Sequence, residues 1–167
     1  MWWIFFILFI VVASMAYAAV SAAPWVPTRR GDIARFLDLI EVKSGMKLYE
    51  LGCGDARLVV ASSKQFGIEG VGVELSILQM IAAKIRVFLT KANVKILWRN
   101  LFKVDLSDAD IVYLFLMPEA YEKIRSKFEA ELKSGTWVIS YVWPIPEWEP
   151  IKVDKKDNAS DLYVYRR

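Results

Sequence analysis

The sequence predicts an α/β fold with a doubly wound, mostly parallel sheet, an antiparallel edge, and one transmembrane helix before it. Short apolar runs alternate with helical patterns from residue 29 to residue 133, which is typical of a parallel sheet with helices on its faces. The last two apolar runs are joined by a short polar turn, which predicts an antiparallel hairpin. Ahead of all this, no Asp, Glu, Lys or Arg occurs before Arg29.

Apolar periodicity, glycine and proline place the individual elements. The predicted strands, in chain order, are 47–51, 69–75, 94–98, 109–116, 135–143, 151–155 and 162–165. The predicted helices of the folded part are 29–42, 58–66, 76–90 and 119–133. We expect Thr28 to cap the first of these helices. Two apolar stripes at helical spacing are interpreted as core positions: Ile33, Phe36, Leu37 and Ile40 in 29–42, and Ile77, Ile81, Ile85 and Phe88 in 76–90.

The N-terminal segment is long enough to cross a membrane. As a helix, residues 2–23 would span about 33 Å, against about 30 Å for a bilayer's hydrocarbon core. Basic residues follow the segment at Arg29 and Arg30 and none precedes it, so the domain is predicted on the cytoplasmic side of a single-pass anchor. The predicted organisation is an anchor at 1–23, a linker at 24–30 and a domain at 31–167. A cleaved signal peptide is the alternative, because 16–18 (AYA) and 21–23 (SAA) resemble cleavage sites.

A glycine turn follows the first predicted strand and indicates a nucleoside site. Gly52 and Gly54 allow a sharp turn and a close approach of backbone to ligand. About twenty residues on, the second strand ends in Glu74, where a carboxylate can bind both ribose hydroxyls. Arg57 stands where a dinucleotide fingerprint has its third glycine, so phosphate ligands are disfavoured. The alternative is a glycine turn in an unrelated α/β domain.

In an open α/β sheet, ligands bind outside the carboxyl ends of the strands. Glu50 is expected there as a buried acid that holds loop amides or a ligand amino group. Asn100 is expected to hydrogen-bond an adenine whose face Leu101 or Phe102 covers, although an ordinary strand-end turn would look the same. The rule therefore selects strand-end candidates at 50–55, 74, 100–102, 116–119 and 141–146.

These residues resemble motif I and the acidic strand end of class I S-adenosylmethionine-dependent methyltransferases, which have a Rossmann-like, seven-stranded-type sheet. A closer resemblance rests on three segments: 24–28 (PWVPT), 51–55 (LGCGD) and 143–150 (WPIPEWEP). They are similar to the lysine methyltransferases of mitochondrial ATP-synthase c-subunit and adenine nucleotide translocase, and to archaeal protein-lysine methyltransferases. The 24–28 segment is the pre-motif of that family.

The resemblance implies S-adenosylmethionine as cofactor and a protein lysine as substrate. Together with the strand-end rule, it places cofactor contacts at Thr28, Glu50, Gly52, Gly54, Asp55, Glu74, Asn100 and Leu101. A lysine channel is expected beside Leu116, Met117, Tyr141, Trp143 and Pro144. Ala56 departs from the family, which usually has glycine there, and a left-handed backbone at Ala56 would be strained.

The chemistry needs positioning and a neutral amine. The chain has no histidine, so neither an imidazole base nor a histidine metal site is available, and no catalytic base or metal is assigned. A desolvated aromatic channel would itself lower a lysine pKa, and Tyr113, Tyr141, Trp143 or Glu119 is a candidate to complete it. The net charge of +3 is too balanced to indicate nucleic acid.

The predicted function is therefore methylation of a membrane or membrane-proximal protein by a membrane-anchored enzyme. Two alternatives stay open: a small-molecule or lipid methyltransferase, and a catalytically silent cofactor-binding subunit of a membrane assembly.

Overall fold

A computed structural model describes residues 2–22 and 24–167. Helix α1 covers Trp2–Ser21, and α2 covers Arg30–Asp38. The remaining helices are α3 (Arg57–Phe66), α4 (Ile77–Thr90) and α5 (Tyr121–Glu131). The strands are β1 (Lys47–Leu51), β2 (Glu69–Glu74), β3 (Val94–Trp98), β4 (Ile111–Leu114), β5 (Trp137–Tyr141), β6 (Lys152–Asp154) and β7 (Leu162–Arg166). Short 3₁₀ turns lie at Leu101–Lys103 and Pro118–Ala120.

The seven strands form one sheet in the order β3-β2-β1-β4-β5-β7-β6. Strands β1 to β5 are parallel, while β7 runs antiparallel to β5 and β6 antiparallel to β7. The predicted fold class is confirmed, including the antiparallel edge. The chain reverses its direction of winding between β1 and β4, and that is where ligands bind in such sheets.

Both faces of the sheet are covered, as the apolar strands require. One core packs α2, α3 and the buried Ala83 of α4 against the sheet, and the other packs α5 and the turn after β3 against the opposite face. All four residues of β4 are buried. Helix α1 also joins the second core, because Ala22, directly after it, is buried there and its carbonyl accepts a hydrogen bond from the Met117 N–H at 2.8 Å.

Two expectations about α2 need revision. The helix begins at Arg30 with Arg29 as its N-cap, and no side chain caps it, so the expected cap at Thr28 is wrong. Thr28 is instead buried beside the cavity described below. The helix also ends at Asp38, four residues before the predicted end, although Ile33, Phe36 and Ile40 are buried as expected. The side chain of Leu37, the remaining residue of that stripe, lies outside the described part of the structure.

The interpretation of α4 as a core stripe is wrong. Ile81, Ile85 and Phe88 are 46%, 54% and 81% exposed. The buried residues of this helix are Gln79 and Ala83, on the other side. Periodicity identifies an apolar face but not what covers it, and in α4 the described part of the chain leaves that face open.

Candidate active site

The glycine turn after β1 is built as its sequence predicts. Gly52 and Gly54 have φ angles of 77° and 54°, a region that favours glycine. The backbone N–H groups of Gly52 and Cys53 both donate to the Val73 carbonyl, at 2.9 and 3.0 Å. These bonds fix the turn against the end of β2.

Ala56 adopts the left-handed conformation that was expected to be strained. Its φ and ψ are 59° and 25°, and it is the N-cap residue of α3. Its side chain is fully buried in the core. The surrounding packing therefore holds a conformation that costs an L-residue about 1–2 kcal/mol relative to its usual backbone.

Glu74 ties the turn to the end of β2. Its Oε2 accepts a hydrogen bond from the N–H of Gly54 at 2.8 Å, and its Oε1 accepts from the N–H groups of Leu75 and Ser76, each at 2.8 Å. Burial raises the pKa of this carboxyl, and the three amide donors oppose the rise. A carboxylate has about four lone-pair sites, so Glu74 keeps room for a hydroxyl donor from a ligand.

Glu50 lies at the buried end of β1 and holds the start of α3. Its Oε2 accepts a hydrogen bond from the Val59 N–H at 3.0 Å. Burial raises the pKa of Glu50 to about 8, with the neighbouring carboxylates of Asp55 and Glu74 adding to the rise. Glu50 is therefore mainly protonated at neutral pH, and a positively charged ligand beside it would favour its ionised form.

Asp55 is held by two arginines. Its carboxylate accepts from Arg57 Nε at 2.9 Å and Nη2 at 2.8 Å, and from Arg86 Nη2 at 2.7 Å. Arg86 Nε also donates to the Asp55 carbonyl at 2.7 Å. Burial acts to raise the pKa of Asp55, but the two arginines outweigh it and hold that pKa below its usual value. The Asp55 side chain thus links α3 to α4 at the rim of the site.

These elements surround a cavity of about 450 Å³ at the carboxyl ends of β1, β2 and β4. Every residue predicted to contact the cofactor lines it: Thr28, Glu50, Gly52, Gly54, Asp55, Glu74, Asn100 and Leu101. Asn100 is positioned by its own side chain, whose Oδ1 accepts from the Phe102 N–H at 3.0 Å.

One wall of the cavity is formed by the N-terminal helix α1. The sequence predicted this helix but not its contribution to the cavity. Val12, Met15 and Ala19 of α1 line it, and Asn100 Nδ2 donates to Ser21 Oγ at 3.5 Å. Trp25 closes the same side. A Cβ built on Gly54 would lie 2.7 Å from the Trp25 indole nitrogen, so only glycine fits beneath that ring.

The residues predicted to border a lysine channel are not all in one place. Leu116 lines the main cavity, and Met117 lines a second, more open depression together with Phe102 and Glu119. Tyr141 is buried, and its hydroxyl donates to Asp32 Oδ2 at 2.6 Å. Trp143 and Pro144 are exposed and line neither cavity. A channel along these residues stays a prediction.

Tyr113 and Phe115 are aromatic residues of the main cavity wall. The hydroxyl of Tyr113 is buried and has no hydrogen-bond partner among the residues that the structure describes. Burial raises the pKa of Tyr113 well above its usual value, and the nearby Thr28 side chain opposes the rise without reaching hydrogen-bond geometry. A buried polar group without a partner is costly, which indicates that a ligand completes this site.

The cavity fits S-adenosylmethionine. It has carboxyl groups at Glu50 and Glu74, a turn in which Gly54 lacks space for a Cβ, and the Tyr113 phenol, which has no partner among the described residues. Two buried polar residues that sequence analysis missed, Gln79 in the first turn of α4 and Ser76 at its N-cap, add further hydrogen-bonding groups. A glutamine between the apolar residues of that first turn was the available signal. The seven-stranded fold and this site define a class I S-adenosylmethionine-dependent methyltransferase.

Comparison with known proteins places the chain within that class. The family described as ANTKMT methyltransferase domain matches residues 50–152. A protein-lysine N-methyltransferase of Saccharolobus islandicus (strain REY15A) is 34% identical over 152 residues, which are 87% of this chain and 94% of that protein. The adenine nucleotide translocase lysine N-methyltransferase of Mus musculus is 30% identical over 133 residues, covering 78% of this chain but only 57% of the mouse protein.

A solved structure agrees with these relatives. The crystal structure of an RNA methyltransferase from Salinibacter ruber in complex with S-adenosyl-L-homocysteine superposes with a TM-score of 0.81 at 29% identity. The match covers 84% of this chain and 93% of the other. The chain belongs to the ANTKMT methyltransferase domain family, and the resemblance that its motifs predicted is confirmed.

Proposed function

We propose that this protein is a membrane-anchored methyltransferase that transfers a methyl group from S-adenosylmethionine to a lysine of a membrane-embedded or membrane-proximal protein. The observation that carries the lysine assignment is the Saccharolobus islandicus protein-lysine N-methyltransferase, because the match extends over almost the whole of both chains. The mouse relative is named for a lysine of the adenine nucleotide translocase, although the chain covers little more than half of that protein.

The membrane part of the proposal rests on α1. The segment Trp2–Ser21 is long and apolar enough to cross a membrane, although a signal sequence would pass the same test. Here its last turns line the cavity, which favours a segment retained in the working enzyme. We therefore propose residues 1–23 as an anchor whose exposed residues 2–10 enter the lipid while its last turns stay on the domain. Residues 24–30 are then a linker, and 31–167 a methyltransferase domain on the cytoplasmic side.

An anchored domain meets membrane-bound substrates at raised effective concentration without new contacts. When bound, S-adenosylmethionine supplies a methyl on a positively charged sulfur, which leaves as a neutral thioether as the lysine nitrogen forms the new N–C bond. Glu74 and the Gly52–Gly54 turn would hold the adenosine end of the cofactor, with Asn100 and Leu101 beside the adenine. The chain then has to orient the amine and keep water out.

The aromatic residues of the cavity wall, Tyr113 and Phe115, are suited to orienting the amine and excluding water. Tyr113 stays a neutral phenol because burial raises its pKa, so its oxygen can accept a hydrogen bond from an incoming amine N–H. Such a bond leaves the nitrogen lone pair free to attack. The desolvated surroundings of Phe115 and Leu116 favour the uncharged amine, whose proton is lost to water before it enters.

Transfer of labelled methyl groups to membranes tests the proposal. The full-length protein in lipid vesicles is incubated with labelled S-adenosylmethionine and separately with membrane proteins, lipids and RNA. We expect label in protein, recovered as methyllysine after hydrolysis, with the Gly52→Arg variant inactive and the exposed Glu41→Gln variant active. Label in lipid or RNA alone would overturn the lysine assignment, and cofactor binding without any transfer would indicate a silent subunit.

A further inference from the structure

The outer face of α4 is an apolar surface that the described residues leave uncovered. Five side chains form this α4 face and project from one side of the helix: Leu78, Ile81, Ile85, Phe88 and Leu89. Phe88 and Leu89 are 81% and 71% exposed. Soluble monomers rarely leave a continuous apolar surface of this kind unless it binds something.

The charge around the α4 face has one sign. From Leu75 to Val104 the chain has six Lys or Arg residues and no Asp or Glu. Lys84 and Lys91 are exposed on the flank of the helix. An apolar helix face with a basic flank is typical of helices that lie in the interface of a membrane with anionic lipids.

A tryptophan lies at the end of the neighbouring strand. Trp98 is 57% exposed, and its indole N–H donates to the Leu75 carbonyl at 2.9 Å. Its ring thus keeps a satisfied polar edge while presenting apolar surface. Tryptophan with this combination is enriched at membrane interfaces.

Helix α1, which contains the proposed anchor, contacts the domain at the start of α4. Ile77, the first residue of α4, donates its N–H to Ser14 Oγ of α1 at 3.3 Å. Residues 2–10 of α1 are all exposed, whereas Val11 and Ser14 are partly buried against the domain. Helix α1 therefore leaves the domain beside the start of α4.

The free length of α1 is too short to hold the domain away from the bilayer. Residues 2–10 span about 13 Å as a helix, less than half of a hydrocarbon core of about 30 Å. If these residues enter the lipid while the rest of α1 stays on the domain, the neighbouring α4 face is brought to the membrane surface.

We propose that the α4 face is a second membrane-contact surface, inserted into the lipid interface beside α1. The occupant is the bilayer, and anionic lipids strengthen the contact through Lys84 and Lys91. The arrangement holds the cavity, whose wall α1 and the start of α4 share, at the lipid surface. This inference rests on the membrane attachment proposed above.

Lipid-dependent fluorescence quenching tests the inference in the full chain. Phe88→Cys and, on the opposite edge of the sheet, the exposed Ile151→Cys are labelled with a polarity-sensitive dye; unmodified protein, whose single Cys53 is buried, is the blank. Each is reconstituted into vesicles of phosphatidylcholine and phosphatidylglycerol that carry a nitroxide at the headgroup or the upper acyl chain. We expect a blue shift and loss of emission at position 88 and neither at position 151.

The charged flank has its own variant. With Lys84→Glu and Lys91→Glu added to Phe88→Cys, the quenching should fall in the anionic vesicles. Equal, weak quenching at positions 88 and 151 in protein that floats with the vesicles would overturn the inference while leaving the α1 anchor in place. A blue shift at position 88 without quenching by the lipid nitroxides would also overturn it, because the dye would then be shielded by a second copy or by another protein. Failure of both labelled proteins to float would overturn the anchor as well.

Discussion

Glu74 Oε2 lies 2.8 Å from the backbone nitrogen of Gly54 and accepts its hydrogen bond. The residue predicted to bind ribose is thus also the residue that shapes the glycine turn. In Glu74→Gln the side chain is uncharged. One carboxylate oxygen is replaced by an NH2 group, a donor that faces backbone N–H donors. Hydrogen bonds to charged groups contribute about 1.5–3 kcal/mol, so we expect S-adenosylhomocysteine to bind about 10-fold to 100-fold more weakly by calorimetry. Unchanged affinity, equal to that of Glu41→Gln, would contradict this role.

Stability should fall as pH rises, because of Glu50. Its pKa is about 8 in the folded protein and 4.5 ordinarily. Below 4.5 both states hold the proton, and between 4.5 and 8 only the folded state keeps it, so each pH unit there lowers the free energy of unfolding by up to about 1.4 kcal/mol. Above 8 the effect is complete. Urea unfolding of the detergent-solubilised protein across this range should show the slope, and Glu50→Gln should flatten it. A slope that survives in Glu50→Gln would assign it to other groups.

The strain at Ala56 predicts an unusual response to glycine. Ala56→Gly relieves a left-handed residue by about 1–2 kcal/mol, which offsets the loss of a buried methyl and the added freedom of the unfolded chain. Ala61→Gly, in the middle of the same helix, has no such relief and costs about 1 kcal/mol. We expect Ala56→Gly to be the more stable of the two by at least about 1 kcal/mol in urea unfolding. The reverse order would show that the left-handed conformation stores no strain.

The hydroxyl of Tyr113, which has no partner in the described part of the chain, predicts opposite effects on stability and function. Tyr113→Phe removes a buried polar group without a described partner, so the ligand-free protein should gain about 1 kcal/mol. Methyl transfer should become slower or weaker at the same time. Tyr49→Phe is the control, since the Tyr49 hydroxyl donates to Asp108 at 2.8 Å and its loss should destabilise. A Tyr113→Phe variant that is both less stable and fully active would contradict a ligand-facing role.

The close contact between Gly54 and Trp25 predicts that even a methyl group is harmful there. A Cβ at position 54 would meet the indole at 2.7 Å and would also sit on a residue with φ of 54°. Gly54→Ala should therefore displace Trp25, which steady-state fluorescence reports, and abolish measurable cofactor binding. Gly31→Ala, in α2 with open space around its Cβ, should instead stabilise by about 0.5–1 kcal/mol. Normal binding by Gly54→Ala would show that the indole moves aside freely.

The sequence was enough to predict the sheet and the strand-end residues that line the cavity, because both depend on local signals. Apolar runs identify the strands, and the number of residues between Gly52 and Glu74 corresponds to one helix and one strand. Trp143 and Pro144, which were predicted to border a lysine channel, were harder to place because they follow the last parallel strand, where the path of the chain depends on packing against β7. The exposed face of α4 was missed because periodicity does not identify the partner of an apolar face.

The contribution of α1 to the cavity wall has a practical cost for anyone preparing this enzyme. Deleting the first 23 residues would make the protein easier to purify, but it would also remove Val12, Met15 and Ala19 from around the ligand. The trimmed protein would open its binding pocket to water on that side. Affinities and rates measured on it would describe a different active centre from the one in the intact chain.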